Sequence, residues 1–220
     1  MRDLNQLIIK FDYDQNFKDE DFYVSKSNEH IFSLLDKWPH WQKNFLNISG
    51  EKFSGKSHLV NIFLKKFKGI KIDCKSINDD FLKKIKIYEN IVLEDINQNV
   101  NERLIYSLFN IIDQENKFIV VTSIQPIVNI NFRLKDLKSR TKNFLLQHID
   151  KPDDDLMFAL ILKNLSDRQI LLDKKLIDYI IKRIKRSYDK IFDFIYKIDE
   201  LSLKKKKAID FKIIKEALGE

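Results

Sequence analysis

Gly50-Glu51-Lys52-Phe53-Ser54-Gly55-Lys56-Ser57, GEKFSGKS, lies in a chain that otherwise avoids glycine. Two of the 4 glycines among 220 residues are here, five positions apart. The stretch fits G-x-x-x-x-G-K-[ST]. A loop that turns several backbone N–H groups onto one phosphate must curl tightly and let the ligand approach its backbone, and glycine permits both. A following helix adds the positive end of its dipole. In such a cradle Lys56 would reach the β- and γ-phosphates, and the Ser57 hydroxyl would hold Mg²⁺. The candidate cofactor-binding residues run Gly50, Glu51, Lys52, Phe53, Ser54, Gly55, Lys56, Ser57 and His58. The ligand expected is ADP or ATP with Mg²⁺.

The flanks suit the cradle. FLNIS (45–49) is a short apolar run, and HLVNIFLKKF (58–67) is strongly helical, so the loop joins a strand to a helix. The alternation continues outward. GIKID (69–73), NIVLEDI (90–96), KFIVVTS (117–123) and FLLQHI (144–149) read as strands. Residues 27–37, 79–85 and 102–114 read as helices, the first capped by Ser27 or Asn28. This order predicts an α/β fold with a parallel sheet flanked by helices. From Pro152 onward the pattern turns helical throughout (153–165, 173–186, 188–203, 210–218), with Asp150 as an expected cap and Asp153, Asp154 and Asp155 favouring the helix start. The expected division is a polar tail (1–20), a nucleotide-binding core (21–150) and a small all-α lid (151–220).

Composition narrows the classes. Hydrophobic residues make up 44% and charged residues 33%, which suits a globular core. The net charge of +7 permits an acidic partner without requiring one. Lys204–Lys207 is the densest positive run and reads as a solvated link between helices. Cys74 is the only cysteine and cannot form an internal disulfide. No apolar stretch is long enough to span a bilayer, and the N-terminus is too polar for a signal peptide, so a cytoplasmic protein without membrane partners is expected.

A phosphate loop needs an acid to manage the metal. Glu94 and Asp95 end an apolar strand, where one carboxylate can position Mg²⁺ and the other polarise water. A strand that simply terminates in polar residues reads the same way. Thr122 or Ser123, at the end of the next strand, can meet the γ-phosphate from the side.

This order of parts, completed by LKDLKSR (134–140) and a helical lid, resembles the AAA+ module of the DnaA replication-initiator family. Within it, the chain looks closest to the short Hda-like regulators. DFYVSKSNEHIFSLLDKWPHW (21–41) and LKNLSDRQILLDKKLIDYIIKRIKRSYDKIFDFIYKIDEL (162–201) are similar to that family's segments before the loop and in the lid. The resemblance implies that Arg140 is an arginine finger acting in trans on ATP held by the initiator DnaA, with Glu94 as metal ligand and Asp95 and Ser123 as catalytic groups. It implies that Gln6, Leu7, Ile9 and Phe11 dock on the DNA polymerase sliding clamp, although a strand packing the same apolar residues on its own core fits the pattern too. The sequence stops at Glu220 with no counterpart of the initiator's DNA-reading helix-turn-helix, so DNA contact is expected to be indirect. Asp189 stands at the lid position that carries an arginine in the initiator, with Arg186 one turn back. An acid there disfavours efficient hydrolysis by this chain and favours a nucleotide held as a signal. A homo-oligomer is left open. The rival readings are an initiator-like or helicase-loader-like protein contacting DNA directly, and a stand-alone P-loop ATPase.

Overall fold

The computed structural model describes residues 22–220. The clamp-like residues Gln6, Leu7, Ile9 and Phe11 lie outside the described residues. Among the described residues, five parallel strands form one sheet: β1 (Phe45–Ser49), β2 (Ile70–Asp73), β3 (Asn90–Glu94), β4 (Phe118–Ser123) and β5 (Leu145–His148), in the order β2-β3-β4-β1-β5. Every strand sends its C-terminal end to the same edge, which is where parallel α/β sheets build ligand crevices.

The central strands are buried on both faces, as their near-continuous Ile, Leu and Val runs require. One face, with Phe45, Ile91, Leu93, Ile119 and Val121, packs against α3 (Asp79–Lys84), α4 (Glu102–Gln114) and α5 (Lys135–Thr141). The other, with Leu46, Ile48, Val92 and Val120, packs against α1 (Glu29–Asp36) and α2 (Lys56–Phe67). Both tryptophans belong to this second face. Trp38 and Trp41 meet Phe63 and Phe118, and Trp41 Nε1 donates to the Leu34 carbonyl at 2.8 Å.

Beyond β5 the chain is helical: α6 (Asp154–Asp167), α7 (Lys174–Ile181), α8 (Tyr188–Lys205) and α9 (Phe211–Leu218). These helices enclose an apolar cluster of their own, including Met157, Ile161, Ile177, Ile180, Ile191, Ile195, Ile198 and Ile214. Side chains cap several helix starts. Asn78, Asn101, Asp153 and Asp210 each accept from the backbone N–H three residues on, worth about 1 kcal/mol apiece.

Two cap expectations change. Asp153, not Asp150, caps α6, accepting from Leu156 N–H at 2.8 Å. Pro152 therefore precedes the helix and does not open it. Asn28 sits at the start of α1 but makes no side-chain cap bond. Its amide is used up in the preceding turn, accepting from Ser25 N–H and donating to the Tyr23 carbonyl. Ser27 instead donates to the Lys151 carbonyl, tying the α1 entry to the segment before α6. A helix the pattern did not single out, α5, fills the LKDLKSR stretch. The Lys204–Lys207 run is the exposed end of α8 and the link beyond it, with Lys204 paired to Glu200 and Lys205 to Glu216.

Candidate functional site

The glycine-rich loop leaves β1 at Ser49 and enters α2 at Lys56. Its curl rests on backbone that glycine serves best. Gly55 caps α2 in the left-handed region (φ +92°), and a Cβ at Gly50 would sit 2.8 Å from Ser54 Oγ. Phe53 also occupies left-handed backbone (φ +64°), an uncommon place for a bulky residue.

Lys56 is buried under the loop. Its ammonium donates to the Gly50 carbonyl at 2.9 Å and the Glu51 carbonyl at 2.7 Å. Burial lowers its pKa, and the negative charges of Asp95, Asp189 and Glu51 oppose that shift. The lysine thus faces three carboxylates, two of them from the core and one from the lid. Phosphate oxygens reaching Lys56 would compete with two loop carbonyls for its protons. Ser54 Oγ is buried without a protein partner, an orphan that a ligand oxygen in the loop would satisfy.

Glu94 and Asp95 part ways. Glu94 pairs with Lys71 at 3.0 Å, and its other oxygen, Oε1, is buried with no protein partner. A buried carboxylate oxygen lacking a donor suits a cation or its bound water, which is compatible with Glu94 as a metal holder. Asp95 lies on the cleft wall beside the loop. Its backbone is pinned there in left-handed geometry (φ +57°): its N–H donates to Thr122 Oγ1 at 3.0 Å, and its carbonyl accepts from Cys74 Sγ at 2.9 Å and Asn97 Nδ2 at 2.8 Å.

Ser123 is fully buried, its hydroxyl accepting from Asn47 Nδ2 at 2.9 Å, and Thr122 is the residue that touches Asp95. Asn47 belongs to none of the sequence motifs. A lone amide inside the apolar run FLNIS is the signal it leaves in the sequence. In the fold it is wholly buried and saturated: it also donates to the Val121 carbonyl and accepts from Ile127 N–H at 2.9 Å.

A broad cleft opens over the loop, between the sheet edge and the helical domain. The loop residues Lys52 to His58 and Asp95 form one wall, and α6 and α8 contribute Leu156, Phe158, Tyr188 and Phe192. Phe22, Tyr23 and Asn28 close one end, with Phe22 edge-on to the His58 ring at 5.2 Å. An apolar shelf beside a phosphate cradle can accept the flat face of a base. Glu51 takes a course the motif did not reveal. Its carboxylate leaves the cradle and accepts from Ser187 Oγ at 2.8 Å and Tyr188 N–H at 3.0 Å. Asp189 follows in the first turn of α8, with one buried oxygen, Oδ1, unpartnered.

Arg140 lies apart from this cleft, on α5. It pairs with Asp113 of α4 at 2.8 Å, not with the neighbouring Asp136, and sits 6.0 Å above the Tyr106 ring. Among the described residues no cluster of three metal-ligating side chains is present, and no helix is long and apolar enough to cross a membrane.

No family model matches the chain. It is 25% identical to the chromosomal replication initiator protein DnaA of Buchnera aphidicola, an alignment that takes in 98% of the chain and 55% of the initiator. The chain therefore spans about half the length of that relative. Domain III of Thermotoga maritima DnaA superposes with a TM-score of 0.73 at 17% identity, covering 93% of this chain and 96% of that domain. AMPPCP-bound DnaA from Aquifex aeolicus superposes with a TM-score of 0.66 at 19% identity, covering 87% of this chain and 70% of that one. The chain is similar in sequence to the initiator DnaA over nearly its whole length, and its fold is that of domain III of the Thermotoga initiator.

Proposed function

We propose that this chain is a nucleotide-binding regulator of chromosomal replication initiation, holding ADP or ATP at the Gly50–His58 loop and acting on the initiator DnaA through Arg140. The observation that carries the reading is the loop itself: a buried lysine beneath two left-handed residues, at the C-terminal edge of a parallel sheet in a DnaA-like fold. The Aquifex relative of this fold holds AMPPCP, which supports a nucleoside phosphate as the ligand here.

In this proposal the nucleotide is a retained ligand more than a fuel. Asp189, on the lid side of Lys56, adds negative charge where a third phosphate would add more. Lys56 and the loop N–H groups would bind the phosphates. Ser57 and Glu94 would hold Mg²⁺, which neutralises phosphate charge when bound. Asp95 and Ser123 are assigned to the water side of the site, Ser123 through its place at the end of β4. Arg140 would supply a planar, permanently charged group to the oxygens of a phosphoryl being transferred on the neighbour, a role that in other NTPases is worth about 10³–10⁵ in rate. Gln6, Leu7, Ile9 and Phe11 would tether the protein to the sliding clamp by an amide anchor and apolar side chains.

The test measures the initiator's ATPase in the presence of this protein and of the DNA-loaded clamp. Stimulation by the wild type, lost in Arg140→Ala and in Gln6→Ala/Leu7→Ala, supports the reading. Stimulation that survives Arg140→Ala sinks the mechanism.

The similarity to the initiators themselves favours a second reading, an initiator-like AAA+ protein that contacts DNA directly, and the exposed lysines at the end of α8 would serve it. Clamp-independent DNA binding that weakens steeply with salt would select it.

A further inference from the structure

Two variable positions of the phosphate loop reach out of the nucleotide site and grip the same helix. The Glu51 carboxylate accepts from Ser187 Oγ at 2.8 Å and from Tyr188 N–H at 3.0 Å. Ser187 is the N-cap residue of α8, and its own side chain makes no cap bond. The helix is therefore capped from outside, by a carboxylate borne on the loop 136 residues earlier. One turn further along α8, Phe192 stacks on Phe53 with ring centroids 4.5 Å apart and planes 29° from parallel. Phe53 keeps left-handed backbone (φ +64°) in making that contact. Such geometry persists in a bulky residue only where its surroundings hold it.

Glu51 also has a second engagement. Its main-chain carbonyl accepts from the Lys56 ammonium at 2.7 Å. One residue thus holds the phosphate-binding lysine with its backbone and the lid helix with its side chain. Tyr188, between them, is buried and donates its hydroxyl to the Asp150 carbonyl at 3.0 Å, at the junction of the sheet domain and the helical domain. Tyr188 is thus anchored at that junction, and Glu51 and Phe53 hold the helix through the loop.

We propose that Glu51 is a positioning residue that makes phosphate occupancy of the loop and the angle of the helical lid one equilibrium, with the Phe53–Phe192 stack as its second point of hold. The proposal rests on the nucleotide reading above. Phosphate oxygens that accept hydrogen bonds from the Lys56 ammonium draw it off the Glu51 carbonyl. The loop then resettles, and the carboxylate carries the start of α8 with it. By linkage, a lid held at one angle by a partner changes nucleotide affinity by the same factor that nucleotide changes the partner's affinity.

The experiment uses the full chain with Cys74→Ser, Arg103→Cys on α4 and Tyr196→Cys on α8, spin-labelled at the two new thiols. Inter-label distances are measured alone and with ADP or ATP in the presence of Mg²⁺, while calorimetry on the same samples records nucleotide binding. The wild-type background is expected to bind nucleotide and shift its distance. Glu51→Gln keeps an acceptor oxygen for Ser187 and Tyr188 and should keep the shift. At nucleotide concentrations that calorimetry shows to saturate each variant, Glu51→Ala and Phe192→Ala should lose the shift. Binding without a shift in the wild type, or an undiminished shift in Glu51→Ala, overturns the coupling alone. Failure of the wild type to bind either nucleotide overturns the nucleotide reading and the coupling with it.

Discussion

The Arg140 guanidinium donates to the Asp113 carboxylate at 2.8 Å, so the residue assigned to act on a neighbouring molecule is held by its own chain. The same helix α4 secures the start of α5, where the Glu102 carboxylate accepts from Arg133 N–H at 2.9 Å and Leu134 N–H at 2.6 Å. The arginine is a fixed group on a braced helix, and it must leave Asp113 to reach any phosphate. Asp113→Ala is expected to change stability by less than about 1 kcal/mol, since the aspartate is largely exposed. It should raise stimulation of the initiator's ATPase, and Arg140→Ala should lower it about 10³-fold or more. Steady-state ATPase assays of the mixture check both.

Lys56→Ala should weaken ADP binding by about 10- to 100-fold, as expected for losing one charge-assisted contact or two. Its folded stability should hold or rise, because the substitution removes a buried ammonium. Asp189→Asn should tighten ATP binding more than ADP binding, since it removes a negative charge facing Lys56. Titration calorimetry and urea melts of the same samples separate binding from stability.

Asn47→Ala should cost about 1–3 kcal/mol, read as a lower urea midpoint, because it leaves the Ile127 N–H buried without an acceptor. It should also loosen the end of β4, where Ser123 loses the amide that orients its hydroxyl.

Cys74 carries a pH signature. Burial, reinforced by Asp73 and Asp95, pushes its thiol from 9.0 up to about 11. The protonated form is the one the fold favours. Its contribution is therefore complete below pH 9 and is lost as pH rises from about 9 to 11, at no more than about 1.4 kcal/mol per pH unit. Cys74→Ser keeps a donor for the Asp95 carbonyl and does not titrate there. Its stability should fall less steeply across that window, as urea melts at stepped pH would record.

Much of this was legible locally. Strands such as Ile91–Leu93 and Val120–Val121 are uninterrupted apolar runs because helices cover both faces, and runs of that kind need no partner to be read. The glycine-rich loop between β1 and α2 is a contiguous eight-residue pattern, legible for the same reason. Helix α5 has two turns and one apolar residue, Leu137, buried on its inner face, too little to set a period. Three successive aspartates after Pro152 each suit a helix start, and only the bond from Leu156 N–H singles out Asp153. The contact of Glu51 with Ser187 joins two separate domains, and nothing near either residue announces it. Only where α8 lies relative to the loop brings them together.

The chain's 2 tryptophans, Trp38 and Trp41, both belong to the aromatic cluster between α1, α2 and the sheet. The helical domain, which has its own apolar interior, contains none. Indole fluorescence is consequently a private reporter of the sheet domain, while far-ultraviolet dichroism reports the helices of both domains together. If the two signals melt together, the domains unfold as one unit. If they separate in Glu51→Ala, the protein's own optics will have measured how much cooperativity a single carboxylate transmits.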